Sequence, residues 1–205
     1  MATIKPVLFA IAGAQGAGKS TFTTIFFSTY TTIDTDAIAA QNNPTDPTAV
    51  LEAAEVMAQA LQEFQLSTKS TFGFQTLLNN NDGLETITEA KQQGYHTELF
   101  FLSTENPAIN IARIAQREAA GGRGALIPLV MSGHAVALKN ARKAVDIADN
   151  AHFYDTTQNN KTAKFVAKFQ QAKLVAVIGT IPKWFRDAFN QEINEFQRKN
   201  KQFSR

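Results

Sequence analysis

The chain has no cysteine. A disulfide framework, a thiolate zinc site and a cysteine nucleophile are therefore all excluded. Histidine is nearly as scarce: His96, His134 and His152 are the only three, and they stand far apart in sequence. That spacing argues against a histidine-based metal site. Tryptophan occurs once and tyrosine three times against sixteen phenylalanines, which predicts a phenylalanine-rich core. No apolar run approaches the ~20 residues of a membrane-spanning helix. Lys5 is followed by an apolar run that Gly13, Gln15 and Gly16 interrupt, so the start does not read as a secretory signal. A cytoplasmic protein without a membrane segment is the expectation. With 44% apolar and 19% charged residues over 205 positions, the chain can bury the core of one domain, 1–205.

Positive charge is sparse in one half. Residues 1–110 hold 4 Lys/Arg against 11 Asp/Glu, whereas residues 111–205 hold 16 against 7. A cationic half suits an anionic partner such as phosphate, nucleic acid or an acidic protein, or it is a solvated surface.

Val7–Ala12 is almost wholly apolar and precedes a glycine-rich turn, which predicts a strand buried on both faces. A helix is expected from Gly18 to about Ser28, then a short strand at 31–34. Asn42–Pro47 reads as a loop with two prolines. Apolar residues at helical spacing predict a helix over 48–66. Ser70–Phe74 reads as a third strand. Asp82 is expected to cap a helix over 84–93 that Gly94 stops. Leu99–Leu102 reads as a fourth strand, and Asn106–Pro107 opens another helix, with Pro107 at its first position. Gly121, Gly122 and Gly124 mark a hinge-like loop before a helix from about Pro128 to Ala148. A fifth strand at 151–155 and a hairpin over 162–170 and 173–178 follow. Pro182 opens a last amphipathic helix whose polar end, Arg198–Arg205, is expected to fray. Strands alternating with helices predict an α/β fold of three layers, α/β/α, around a mainly parallel sheet. The segment about 107–148 reads as a helical lid.

Residues 13–20, GAQGAGKS, match the phosphate-binding loop pattern at every fixed position, between a buried strand and a helix. Gly13, Gly16 and Gly18, with Gln15 and Ala17 between them, let backbone N–H groups turn inward around an anion. The helix N-terminus adds partial positive charge. Lys19 supplies a mobile cation for the β- and γ-phosphates, Ser20 a hydroxyl for Mg²⁺, and Thr21 a contact to the α-phosphate. ATP and Mg²⁺ are the expected cofactors of this P-loop NTPase fold. Asp34 and Asp36 follow the second strand, at the carboxyl edge where such sheets bind ligands. Asp36 is the candidate base for an attacking hydroxyl, and Asp34 is assigned to capping or packing. Arg113 and Arg117 share a helical face and, with Arg123, are candidates to offset phosphate charge.

These blocks, taken in order, resemble the zeta-toxin-like P-loop kinases, in particular the bacterial branch often called predicted ABC-type ATPases. The resemblance covers about Val7 to Asp155. The loop GAQGAGKST comes first. IDTDAIA resembles the family's Asn-x-Asp-x-Ile-Ala block and aligns Asp36 with its catalytic carboxylate. FGFQTLL resembles Phe-x-Phe-Glu-Thr-Thr-Leu. EAKQQGYHTELFFLST, RIAQREAAGGR and LKNARKAVDIADNAHFYDT resemble the segments that follow. The resemblance implies a kinase that transfers the ATP γ-phosphate to a hydroxyl of a nucleotide sugar such as UDP-N-acetylglucosamine and is restrained by a small helical antitoxin protein. It also implies that Arg113 and Arg117 neutralise phosphates, while Gln75, Thr76 and His134 fall among substrate contacts. Four departures stand out. Gln75 replaces a Glu, Leu77 a Thr and Arg123 a His, and Gly133–Ala137 lacks both arginines of an Arg-Tyr-x-Arg-Ser block. They leave ATP binding intact and leave weakened, rerouted or absent catalysis open, including a non-catalytic relative that acts through a protein partner. A nucleic-acid-end kinase is disfavoured, since only the last helix pairs aromatics with a basic residue.

Overall fold

The computed structural model describes residues 5–41, 47–159 and 161–202. Seven strands form one sheet: β1 (Val7–Ala12), β2 (Thr32–Ile33), β3 (Phe72–Thr76), β4 (His96–Ser103), β5 (Asn150–Asp155), β6 (Lys164–Gln170) and β7 (Lys173–Val177). Their order is β2-β3-β1-β4-β5-β6-β7. The first five run parallel, and β6 and β7 add an antiparallel edge. Among the described residues seven helices accompany them: α1 (Lys19–Phe26), α2 (Thr35–Ala40), α3 (Pro47–Ser67), α4 (Asp82–Gln92), α5 (Pro107–Ala119) and α6 (Ile127–Ile147) between strands, and α7 (Lys183–Gln202) after the last one.

Period-two alternation sends the central strands to both faces. Leu8, Ala10, Leu99, Phe101 and Phe153 join the larger core beneath α4, α6 and α7. Phe9, Ile11, Phe100, Leu102 and Tyr154 face α1, where Phe22 and Phe27 pack on them. Phe153 meets Phe169, Phe185 and Phe189 with ring centroids 5.0–5.6 Å apart, so the abundant phenylalanine does form the core. Trp184, Phe185 and Phe189 are buried there and offer no face for base stacking. Within the described residues no helix is long and apolar enough to cross a membrane.

β1 lies between β3 and β4, with Ala12 level with Thr76 on one side and Phe101 on the other. Chain connection reverses direction at β1, and the crevice beyond its carboxyl end is where open α/β sheets bind ligands.

Several boundaries differ from the sequence reading. The third strand runs two residues later than Ser70–Phe74, because Gln75 and Thr76 pair with Ile11 and Ala12. The fourth begins at His96, since Glu98 and His96 find polar partners on β5. Asp82 is the first residue of α4 rather than its cap, and Asn80 Oδ1 accepts its N–H. α2 was not anticipated. The expected loop 42–47 lies outside the described residues except for Pro47, which opens α3. The last helix runs to Gln202, and the remainder of the end expected to fray lies outside the described residues. Ala137, Ala141 and Ala144 of α6 are fully buried in the core, so α6 belongs to the third layer, and within the segment 107–148 the cleft is lined by Arg113, Ile114 and Arg117 of α5 and by Arg123.

Candidate active site

Backbone geometry makes the phosphate loop a glycine structure. Gly13 has φ 148°, and a Cβ there would meet the Leu102 carbonyl oxygen at 2.3 Å. Gly16 has φ 78°, and its Cβ would meet the Asn110 carbonyl oxygen at 2.8 Å. Gly18, at φ 92°, occupies the N-cap of α1, which has no side-chain cap. The first amides of α1 are therefore left to an anion.

The loop is clamped from behind by residues that local patterns do not reveal. Asn110 of α5, fully buried, donates from Nδ2 to the Gln15 carbonyl at 2.7 Å, and its Oδ1 accepts from Thr104 Oγ1. Thr156 Oγ1 donates to the Ala17 carbonyl at 2.9 Å. Arg113 donates to the Gly16 carbonyl at 3.4 Å, to Asn159 Oδ1 at 2.8 Å and to the Thr156 carbonyl. Arg113 thus braces the loop while lining the cleft.

Lys19 folds back along the loop, with Nζ 2.9 Å from the Gly13 carbonyl and 3.4 Å from that of Ala14. Burial lowers its pKa to about 8 despite the nearby Asp36 and Asp34 carboxylates. Ser20 Oγ faces Asp34 Oδ2 at 3.2 Å and Gln75 Oε1 at 3.3 Å. Asp34 also caps α2, its Oδ1 accepting from the Asp36 N–H at 3.1 Å. It therefore has a cap role and a place beside the Ser20 hydroxyl, where the sequence reading assigned only capping or packing. A serine hydroxyl and a carboxylate are hard oxygen donors, and with two phosphate oxygens they fit Mg²⁺.

Asp36 lines the same cleft, paired with Arg123 at 3.2 Å. Arg117 holds the 120–126 connection by two bonds to the Arg123 carbonyl. One cleft of about 1260 Å³ is lined by Gln15, Gly16, Gly18, Lys19, Ser20, Thr21, Asp34, Asp36, Gln75, Thr76, Arg113, Arg117 and Arg123. Thr76 Oγ1 accepts from the Leu78 N–H, and its carbonyl accepts from Gly13. His134 is not brought to this cleft. It sits on α6 with Nε2 3.1 Å from the Thr104 carbonyl, and burial lowers its pKa. Asp155 is tied to Trp184 Nε1 at 2.7 Å and to Thr157, a structural position.

The fold is shared with solved P-loop proteins. A crystal structure of the AvrRxo1-ORF1:AvrRxo1-ORF2 complex aligns at a TM-score of 0.69 and 16% identity, covering 94% of this chain and 63% of that one. The same pair crystallised with ATP gives 0.69 at 15% identity. This chain thus spans less than two thirds of the chains it matches in these complexes. The PezAT chromosomal toxin–antitoxin system of Streptococcus pneumoniae aligns at 0.57 and 15% identity over 100% of this chain and 88% of that one. An uncharacterised protein of Haemophilus influenzae is 31% identical over 113 residues, which is 54% of this chain and 79% of that protein. The zeta toxin family model matches residues 1–171, a span that takes in the phosphate loop, Asp36, the clamping residues and five parallel strands, and the chain belongs to that family.

Proposed function

We propose that this protein is a MgATP-dependent kinase that transfers the γ-phosphoryl group to a hydroxyl of a small-molecule acceptor. The observation that carries this reading is a phosphate loop, a Ser20–Asp34 oxygen pair and the Asp36 carboxylate lining a single cleft. The amides of the loop and Lys19 would hold the triphosphate. Ser20 and Asp34 would hold Mg²⁺, which supplies charge neutralisation between the β- and γ-phosphates. Arg113 would serve the phosphates from the loop side, and Arg117 would serve through the 120–126 connection. Asp36 is paired with Arg123. A bound triphosphate competes for that guanidinium, and its departure frees Asp36 to accept the acceptor's proton. Thr76 and Gln75 border the acceptor space. The resemblance brings in UDP-N-acetylglucosamine as the reference acceptor. The resemblance brings in a small antitoxin protein that restrains this chain, and the likeness to the PezAT toxin–antitoxin system supports such a partner.

A second reading follows from Gln75. It is 3.3 Å from Ser20, where the family block carries a Glu, and a neutral amide neither takes a proton nor neutralises Mg²⁺. A nucleotide-binding protein that acts through a partner would tolerate that change. Calorimetry with MgATP and an ADP-release assay over an acceptor panel separate the two. The kinase reading expects saturable binding, acceptor-dependent ADP release, and loss of both in Lys19→Ala. Binding without turnover for any acceptor supports the second reading. Full activity in Lys19→Ala would overturn the first.

A further inference from the structure

Asn140 is the one buried polar residue of α6, set among Ala137, Ala141 and Ala144. An amide buried in such surroundings needs hydrogen-bond partners. Its Nδ2 donates to the Leu78 carbonyl, 62 residues back in the chain, at 2.9 Å and to the Asn80 carbonyl at 3.1 Å. Both carbonyls belong to the turn 77–81 between β3 and α4. That turn holds Leu78 at φ 51°, in the left-handed region, with its side chain fully buried. A leucine stays in that conformation only where its surroundings fix it. Here the Leu78 N–H donates to Thr76 Oγ1 at 3.2 Å, its carbonyl accepts from Asn140, and its side chain packs in the larger core. Gly83 leaves room for this packing, since a Cβ there would meet Thr76 Oγ1 at 2.7 Å and Leu78 Cδ2 at 3.0 Å.

The tie matters because of what the turn carries. With Leu78 in the core, Leu77, Asn79 and Asn80 line the cleft beside Gln75 and Thr76. The phosphate loop has a clamp of its own, in which Asn110, Arg113 and Thr156 bind the carbonyls of Gln15, Gly16 and Ala17. Among the described residues Asn140 makes no hydrogen bond to that loop; it acts beyond Thr76, the last residue of β3 and the one whose carbonyl accepts from Gly13. α5 and α6 thus each send one buried asparagine amide to main-chain carbonyls of a different loop of the cleft. Without Asn140 the two carbonyls of the turn lose their donor, and Leu78 is free to relax toward the right-handed region, which moves Leu77, Asn79 and Asn80 with it.

Resting on the kinase reading of this same cleft, we infer that Asn140 is a positioning residue for the acceptor. Its amide fixes the turn 77–81 so that Leu77, Asn79 and Asn80 meet the acceptor beside Gln75 and Thr76, and it acts on the reaction only through that turn. MgATP, held by the loop that Asn110 clamps, is indifferent to it.

The test compares the whole wild-type protein with Asn140→Ala in three measurements: calorimetric MgATP binding, ADP release with UDP-N-acetylglucosamine as the acceptor probe, and backbone amide exchange. The expected result is an acceptor KM raised roughly tenfold or more, with MgATP affinity within about threefold of wild type. Amides of 77–84 should exchange faster while those of 13–22 keep their wild-type rates. Asn110→Ala, which loosens the phosphate loop, should weaken MgATP instead. Gly83→Ala presses on the same turn from α4 without touching Asn140, so it should reproduce the rise in acceptor KM, and it carries the test if Asn140→Ala does not fold. An unchanged acceptor KM, or equal losses in acceptor and MgATP, overturns the inference. A wild-type protein that does not turn the probe over counts against the kinase reading rather than the positioning claim. Binding of the probe beside a non-hydrolysable ATP analogue is then held to the same tenfold criterion, and where the probe does not bind either, unchanged exchange at 77–84 in Asn140→Ala overturns the inference and faster exchange confined to that turn supports it.

Discussion

The ammonium of Lys19 is sheltered by the loop that it closes, and desolvation outweighs the two nearby aspartates in bringing its pKa to about 8. Triphosphate oxygens favour the charged form. Below pH 8 the ligand-free protein already holds the proton. Above it, binding must take up a proton, so affinity falls as pH rises. Calorimetry from pH 7 to 9.5 should show MgATP affinity dropping by up to tenfold per unit above about pH 8. Proton uptake should appear as a dependence on buffer ionisation enthalpy. A flat profile would mean that Lys19 does not meet the phosphates. The Arg123–Asp36 pair is half exposed on both sides, so it contributes little to stability and is free to exchange partners.

Loop geometry depends on the start of α5 as much as on the loop's own glycines. Asn110 joins the Gln15 carbonyl to Thr104 across 95 residues of chain, inside the protein. Asn110→Ala leaves the Gln15 carbonyl without that partner, at about 1–3 kcal/mol, while the Thr104 hydroxyl keeps the Asn106 carbonyl. The expected result is a Tm lower by roughly 2–12 °C and weaker MgATP binding, read by thermal melting and calorimetry. An unchanged Tm would show that the clamp does not hold the loop. Turn chemistry at the other edge follows a different rule. The β6–β7 hairpin turns through Gln171 and Ala172, both at positive φ (46° and 61°), without the glycine or asparagine such turns favour.

Across the whole molecule the two ends of the sheet are built differently. The carboxyl end carries the cleft. Near the amino ends of β4 and β5, Glu98 collects His152 at 2.7 Å, His96 at 2.8 Å and Asn150 at 2.6 Å. Burial raises the pKa of Glu98, but these hydrogen bonds outweigh it and bring the value to about 2. Its folded-state pKa is depressed, so its stabilisation is present above the unfolded value and is lost as pH falls from about 4.5 toward 2. In Glu98→Gln, Tm should fall less steeply across that window than in the wild type. An identical slope would exclude Glu98 from acid unfolding. Histidines that are scattered in sequence meet on one carboxylate only because β4 and β5 pair, which no local pattern announces. The same reason hid Asn110, Thr104 and Thr156, whose partners lie far away along the chain. The phosphate loop and the α/β order were legible because their signals are contiguous: fixed glycine spacing, a buried strand before it and a helix after it. His134 was assigned by alignment to a block that has lost its arginines, and packing turned it toward Thr104. The central claim is that Asp36 activates an acceptor hydroxyl opposite a triphosphate held by the loop. The most direct measurement is acceptor-dependent ADP release by Asp36→Asn at saturating MgATP, using the best acceptor of the wild type. The account predicts MgATP affinity within a fewfold of wild type and transfer reduced by roughly 10²-fold or more. Wild-type turnover in Asp36→Asn would contradict it.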